Sequence, residues 1–230
     1  MSPESALPPG RRTRYAVIFD LDGTLLDTAA DLATSANAAL AELGAPPHPV
    51  EAYKRFVGDG VEVLLQRALP AQRRDSETVA RGVALMRAHY GRHWHDQTRP
   101  YPGIAELLAT LAARAARLAV LSNKPHDPAV QTIRHFFPTV PFAKVVGARP
   151  GVPHKPDPTA ALALARDLEV AAADCWLVGD SGSDMLTARS AGMLGVGATW
   201  GFRGEAELRA HGAVVLLAAP ADLLALIERR

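Results

Sequence analysis

Tyr15-Ala16-Val17-Ile18-Phe19-Asp20-Leu21-Asp22-Gly23-Thr24 says more about the architecture of this chain than any other segment. Residues 15–19 are apolar and rich in β-branched and aromatic side chains, the pattern of a short strand buried on both faces. Strands of that kind belong to parallel sheets and deliver their C-terminal ends to the crevice where open α/β sheets bind ligands. Asp20 and Asp22 stand at that end. Side chains at i and i+2 leave a strand on the same side, so the two carboxylates converge. Like charges that close repel, and one takes up a proton unless a cation lies between them. Gly23 allows a sharp backbone turn, and Thr24 can satisfy loop amides. Asp-x-Asp-Gly-Thr taken alone is equally an ordinary turn after a strand, and the rest of the chain separates the two readings.

Outward from this strand the pattern turns helical for about seventy residues. From Thr28 to Leu43, Leu32, Ala36, Leu40 and Leu43 share one helical face. Asp27 is placed to cap its start, and Gly44, Pro46 and Pro47 end it. Further helical patterns cover Val61–Leu69 and Glu77–Tyr90. From Tyr101 strands and helices alternate: a helix over Gly103–Arg114 with Ile104, Leu107, Leu108 and Leu111 buried, a strand over Arg117–Leu121, and a short strand at Ala143–Val146. A helix follows, capped by Asp157 with Pro158 in its first position. Next come a strand at Trp176–Val178, a helix at Ser183–Ala191 closed by Gly192, and strands at Leu194–Ala198 and Val214–Leu217. The expected fold class is α/β, a doubly wound, mostly parallel sheet carrying an inserted all-helical subdomain. The expected boundaries are a disordered tail over 1–14, an α/β core over 15–27 and 101–230, and the helical insert over 28–100.

Three strand ends carry polar groups that a purely structural core does not require: Asp20 and Asp22; Ser122-Asn123-Lys124; and Asp180-Ser181-Gly182-Ser183-Asp184. Lys155 precedes the helix capped at Asp157. In a parallel sheet these ends share one edge, so residues remote in sequence can meet. Among them are four carboxylates, the Ser122 hydroxyl and the Lys155 ammonium. Carboxylate oxygens suit Mg²⁺, a hard cation that keeps several waters and bridges to phosphate.

With these residues in order, the chain resembles the haloacid dehalogenase superfamily of phosphohydrolases. The resemblance rests on FDLDGT at Phe19–Thr24, LSNK at Leu121–Lys124, Lys155 in HKPDP, and GDSGSD at Gly179–Asp184, and it spans residues 15 to 230. It implies a phosphomonoesterase in which Asp20 is the nucleophile and Asp22 the general acid and then base. It also implies Mg²⁺ held by the carboxylates of Asp20 and Asp180 and the backbone carbonyl of Asp22, with Asp184 ligating directly or through water. Ser122 is expected to hydrogen-bond a phosphoryl oxygen, and Lys155 to neutralise charge at Asp20 and the phosphate. The insert corresponds to a cap over the site. Phe56–Val61, Leu64–Leu69, YPG at Tyr101, SNKPH at Ser122 and WGFR at Trp200 resemble phosphoglycolate phosphatases, which implies 2-phosphoglycolate as substrate. Thr24, Gly58, Gly60, Asn123 and Lys124 complete the expected substrate contacts. The alternatives are a sugar-phosphate phosphatase, a pyrophosphatase or a phosphosugar mutase on the same scaffold, or a non-catalytic binding protein. One departure concerns Asp59, where these phosphatases usually have asparagine. Its charge either faces the substrate or caps the helix that starts near Val61.

Composition limits the remaining classes. The chain has 230 residues, 48% of them hydrophobic, and 25 basic against 24 acidic side chains. That balance speaks against a nucleic-acid surface or a polybasic membrane patch. No apolar stretch reaches a membrane span, and no apolar region with a cleavage site follows Arg11-Arg12, so a cytoplasmic location is expected. Cys175 is the only cysteine and lies in an apolar run, as an inert buried thiol would. Nothing in the sequence chooses between monomer and homodimer. His89, His93 and His95 are expected on different helix faces or beyond the helix end, and His126 and His154 as loop polarity. Arg203 is expected to be exposed, and Arg67 to face solvent, with pairing to a carboxylate as the alternative.

Overall fold

The computed structural model describes residues 15–114 and 116–228. The tail over 1–14 lies outside the described residues. In chain order the elements are β1 (Ala16–Phe19), β2 (Leu26–Asp27), α1 (Ala29–Glu42), α2 (Val50–Phe56), α3 (Val61–Ala68), α4 (Ser76–His93), β3 (Arg99–Pro100), α5 (Ile104–Ala113) and β4 (Arg117–Pro125). The chain continues with α6 (His126–Phe136), β5 (Phe142–Ala148), α7 (Thr159–Asp167), β6 (Cys175–Gly179), α8 (Gly182–Ala191), β7 (Leu194–Ala198), α9 (Glu205–Ala210), β8 (Val215–Leu217) and α10 (Asp222–Glu228).

Six strands form one parallel sheet in the order β5-β4-β1-β6-β7-β8. β1 is central, and the strand order reverses around it, which opens the ligand crevice at its C-terminal end. Alternation along the strands sends their side chains to two cores. Val17 and Phe19 join Leu107, Leu111, Val120, Trp176 and Val178 on one face. Ala16 and Ile18 join Leu121, Leu164, Leu177 and Ala188 on the other. A third cluster lies within the insert, where Leu32, Ala36, Leu40, Tyr53, Leu64, Leu65, Val83 and Met86 pack among α1–α4. The expected apolar stripes of α1 and α5 are the buried ones.

The chain enters and leaves the helical insert through a two-stranded antiparallel ribbon that pairs Leu26 with Pro100 and Asp27 with Arg99. Asp31, fully buried in the first turn of α1, clamps the return segment by accepting from Gln97 N–H, Thr98 N–H and the Thr98 hydroxyl.

Several elements depart from the sequence reading. α2, α6, α9 and α10 were not expected; α2, α9 and α10 are short, and each has a single buried residue. β4 runs through Ser122, Asn123 and Lys124 to Pro125, which pairs with Ala148 of β5. Polarity suggests an earlier end because these polar residues are held for the site and not for the core. Thr28, not Asp27, occupies the cap position of α1, and Pro158, not Asp157, that of α7. In both cases the aspartate still serves the helix start from one residue earlier: Asp27 accepts from Ala29 N–H at 3.2 Å and Asp157 from Thr159 N–H at 2.8 Å. His89 and His93 share a helix face, one turn apart on α4, with ring centroids 4.4 Å apart. His89 meets the Ser35 hydroxyl and His93 meets Asp96, and neither belongs to a metal-ligand grouping among the described residues. Cys175 is buried, its thiol pushed up to about 11 by burial.

Candidate active site

The C-terminal ends of β1, β4 and β6 bring Asp20, Ser122 and Asp180 to one crevice, and the first turn of α8 adds Asp184. Ligand oxygens of Asp20, Asp180 and Asp184 lie within 4.8 Å of one another. Lys155 stands among them, 4% exposed. Its Nζ donates to Asp184 Oδ1 at 2.6 Å and to the Leu121 carbonyl at 3.0 Å, and lies 2.9 Å from Asp20 Oδ1. Asp20 Oδ1 nonetheless accepts no well-directed hydrogen bond.

Each carboxylate is oriented by its neighbours. Asp184 forms a capping box at the start of α8, where its Oδ2 accepts from the Ser181 hydroxyl at 2.6 Å and from Ser181 N–H at 3.1 Å. With Lys155 on the other oxygen, Asp184 is held from both sides. Asp180 accepts from the Thr24 hydroxyl at 2.9 Å and from Phe202 N–H at 2.8 Å. The Trp200 indole donates to the Thr24 carbonyl at 3.0 Å, so the loop after β7 and the turn after β1 grip Asp180 together. Two glycines make room for this: a Cβ at Gly23, where φ is +91°, or at Gly201 would overlap Asp180.

Electrostatics show what the cluster lacks. Three buried carboxylates face one ammonium. Burial pushes Asp20 up to about 7 against the opposing pull of Lys155, and burial, reinforced by Asp20 and Asp184, pushes Asp180 up to about 8. Burial acts to lower Lys155, but Asp184 and Asp20 outweigh it and the net shift is upward. An all-oxygen, charge-deficient donor set with an unsatisfied Asp20 oxygen fits a hard divalent cation.

Asp22 lies outside this cluster. Its carboxylate pairs with Lys124 Nζ at 3.1 and 3.2 Å, and Lys124 also donates to the Tyr90 hydroxyl at 2.8 Å on α4. The Ser122 hydroxyl accepts from Lys124 N–H and lines the cavity beside Asp20 and Asp22. Other residues expected at the substrate are engaged with protein partners. Thr24 is spent on Asp180. Asn123 donates to the Gly58 and Lys155 carbonyls and accepts from Lys155 N–H, joining the loop between α2 and α3 to the loop that carries the lysine. Gly58 and Gly60, at φ of +122° and +92°, line the cavity.

Arg203 corrects the exposed expectation, whereas Arg67, its side chain 38% exposed, takes the carboxylate pairing that was its alternative. Arg203 has a side chain 12% exposed and donates to the Val57 carbonyl at 2.8 Å and the Arg55 carbonyl at 3.2 Å. Arg67 donates to the Phe56 carbonyl at 3.1 Å and to Asp59 at 2.5 Å. The final carbonyls of a helix lack internal partners and attract cations, and α2 ends between these two guanidinium groups. Asp59 therefore neither caps α3, which has no side-chain cap, nor presents an uncompensated charge.

Tyr90, Asp31 and the Phe202 amide were not singled out as site or clamp residues. Tyr90 looks like any aromatic on an amphipathic helix. A main-chain donor such as Phe202 N–H leaves no trace in side-chain chemistry. The glycine beside Trp200 was the available signal, since it marks a close backbone approach.

Comparison with known proteins places this geometry. A family model of the haloacid dehalogenase-like hydrolases matches residues 17–198. The phosphoglycolate phosphatase of Neisseria meningitidis is 36% identical over 190 residues, 81% of each chain. That of Nitrosospira multiformis is 39% identical over 180 residues, 77% of this chain and 79% of its own. A solved structure from Lactobacillus delbrueckii subsp. bulgaricus shares 32% identity, covers 94% of this chain and 99% of its own, and has a TM-score of 0.88. The chain belongs to the haloacid dehalogenase-like hydrolase family, and within it resembles the phosphoglycolate phosphatases.

Proposed function

We propose that this protein is a divalent-metal-dependent phosphomonoesterase that cleaves 2-phosphoglycolate to glycolate and phosphate through an aspartyl-phosphate on Asp20. The observation that carries the reading is Lys155 set between Asp20 and Asp184, in a buried cluster that holds one positive charge against three carboxylates. The identity to relatives named phosphoglycolate phosphatase supports the substrate. So does the pairing of Asp59 with Arg67, which removes the objection to an anionic leaving group.

A carboxylate oxygen of Asp20 attacks phosphorus as the bond from phosphorus to the ester oxygen breaks. Asp22 gives its proton to the departing oxygen. Water then attacks phosphorus, Asp22 takes up its proton, and the bond to Asp20 breaks to release phosphate. Ser122 donates to a phosphoryl oxygen, and Lys155 offsets charge on Asp20 as the phosphate arrives. Lys124 holds Asp22 toward the cavity and, through Tyr90, registers the position of the cap. Asp20, Asp180 and the Asp22 carbonyl would hold Mg²⁺, with Asp184 beside them, and the ion would neutralise charge on the transferred group. The substrate is a small phosphorylated metabolite.

Phosphate release from a panel of phosphorylated metabolites, with Mg²⁺ and with chelator, tests the reading. We expect Mg²⁺-dependent turnover with 2-phosphoglycolate preferred over sugar phosphates and pyrophosphate. A folded, Mg²⁺-supplemented sample that releases no phosphate from any of them overturns it.

A further inference from the structure

Asp20, Asp22 and Ser122 open onto a cavity of about 360 Å³ between cap and core. That volume lies in the range of sites for whole small molecules, about 300–1,000 Å³. Much of its wall is apolar, built by Leu32, Val57, Val61, Leu64, Met86 and Trp94. Glycolate is a two-carbon, oxygen-rich leaving group and would leave most of that wall facing water.

The cap is already docked, so the space is not that of a cap swung away. Asn123 reaches the Gly58 carbonyl at 2.9 Å, Lys124 the Tyr90 hydroxyl at 2.8 Å, and Arg203 the Val57 carbonyl at 2.8 Å. Of the polar groups on the wall, Lys124 serves Asp22 and Tyr90 and Asn123 serves Gly58 and Lys155, while Arg87, Gln131 and Thr132 stand beside the apolar residues. Apolar walls favour apolar occupants, because burying carbon surface removes it from water.

We infer that the enzyme has a second substrate class: phosphomonoesters whose leaving group carries an apolar body, a chain of several carbons or an aryl ring, seated against α3 and α4 with the phosphoryl group at Asp20. The inference rests on the phosphomonoesterase chemistry above but not on 2-phosphoglycolate as substrate. The bond from phosphorus to the ester oxygen breaks as before, the alcohol leaves with one proton, and water supplies the new oxygen of the phosphate.

The test is phosphate release by the full chain with Mg²⁺ from n-alkyl phosphates, ethyl to hexyl, and from phenyl phosphate. A fully buried methylene corresponds to about a fourfold change, from ~0.8 kcal/mol. We expect kcat/KM to rise by about two- to fourfold per methylene until the cavity is full. Gly91 of α4 lines the cavity, and a Cβ there meets no atom within 4 Å, so Gly91→Phe is the substitution chosen to place a ring at the cavity wall. It should cut kcat/KM for hexyl and phenyl phosphate by about tenfold and leave ethyl phosphate within about twofold. If Gly91→Phe fails to fold, Val61→Trp on the half-buried start of α3 makes the same comparison. A flat or falling series, with ethyl phosphate and 2-phosphoglycolate still hydrolysed, overturns this inference and leaves the proposed function standing. No release from any ester overturns both.

Discussion

Removing the single ammonium of the carboxylate cluster is the sharpest perturbation the structure offers. Lys155→Met keeps the length of the side chain and deletes its charge. The change leaves Asp20 and Asp184 without the cation that lies 2.9 and 2.6 Å from them, and strips the Leu121 carbonyl of its 3.0 Å donor. Breaking one side of a buried ion pair costs about 3–5 kcal/mol, because the remaining charges stay buried. A protein of this size shifts its melting temperature by about 2–4 °C per kcal/mol, so the variant should melt roughly 6–20 °C lower. Thermal unfolding followed by circular dichroism, in chelator near pH 8, measures this directly. Lys54→Met is the control: Lys54 pairs with Glu51, whose side chain is 77% exposed, and such pairs are worth about 0–1 kcal/mol. If Lys155→Met melts within about 2 °C of the unaltered protein, the cluster is not the charge-deficient site described above.

Other expectations follow from the same geometry. Asp20 and Asp180 titrate near 7 and 8 when folded, against an ordinary value of 3.8. Raised carboxylates mean that the folded state binds more protons than the unfolded one between those values, so metal-free stability should fall as pH rises from about 4 to 8. Mg²⁺ should raise the melting temperature more at about pH 8 than at about pH 5.5, and equal increments at both would contradict the account. Gly201→Ala would press on Asp180 and the Gly23 carbonyl, and a displacement of about 1 Å costs on the order of 10²-fold in kcat. Gly204→Ala, with open space at its Cβ, should leave kcat unchanged. Asp59→Asn should shift stability by no more than about 1 kcal/mol, since the pair with Arg67 is more than a third exposed, and should not alter the preference between 2-phosphoglycolate and neutral phosphate esters. A change in that preference would put Asp59 at the substrate.

Much of this architecture was legible because buried strands and capped helices leave strong local patterns. Residues 15–19 could hardly be anything but a central strand, and the stripe Ile104, Leu107, Leu108 and Leu111 marked the buried face of α5. The carboxylates were legible for a different reason: a core does not need Asp20 and Asp180 at strand ends, with Asp184 one helical turn on, unless they serve something. Less accessible were contacts that join elements far apart in sequence. Arg203 and Arg67 look like surface cations until α2, a helix with one buried residue, is known to end beside them. Asn123 reads as a substrate contact until Gly58 and Lys155 are seen on either side of it. Thr24 turns from loop support into a clamp on Asp180 only when β6 is laid beside β1. Each depends on topology and on main-chain groups that a side-chain pattern does not record.

Rapid-quench mixing of the enzyme with labelled 2-phosphoglycolate and Mg²⁺ examines the role given to Asp20 most directly. The account predicts label bound to protein before phosphate is released, located on Asp20, and absent both from Asp20→Asn and from the chelated enzyme. Phosphate released with no protein-bound label at any time, together with full turnover by Asp20→Asn, would contradict it.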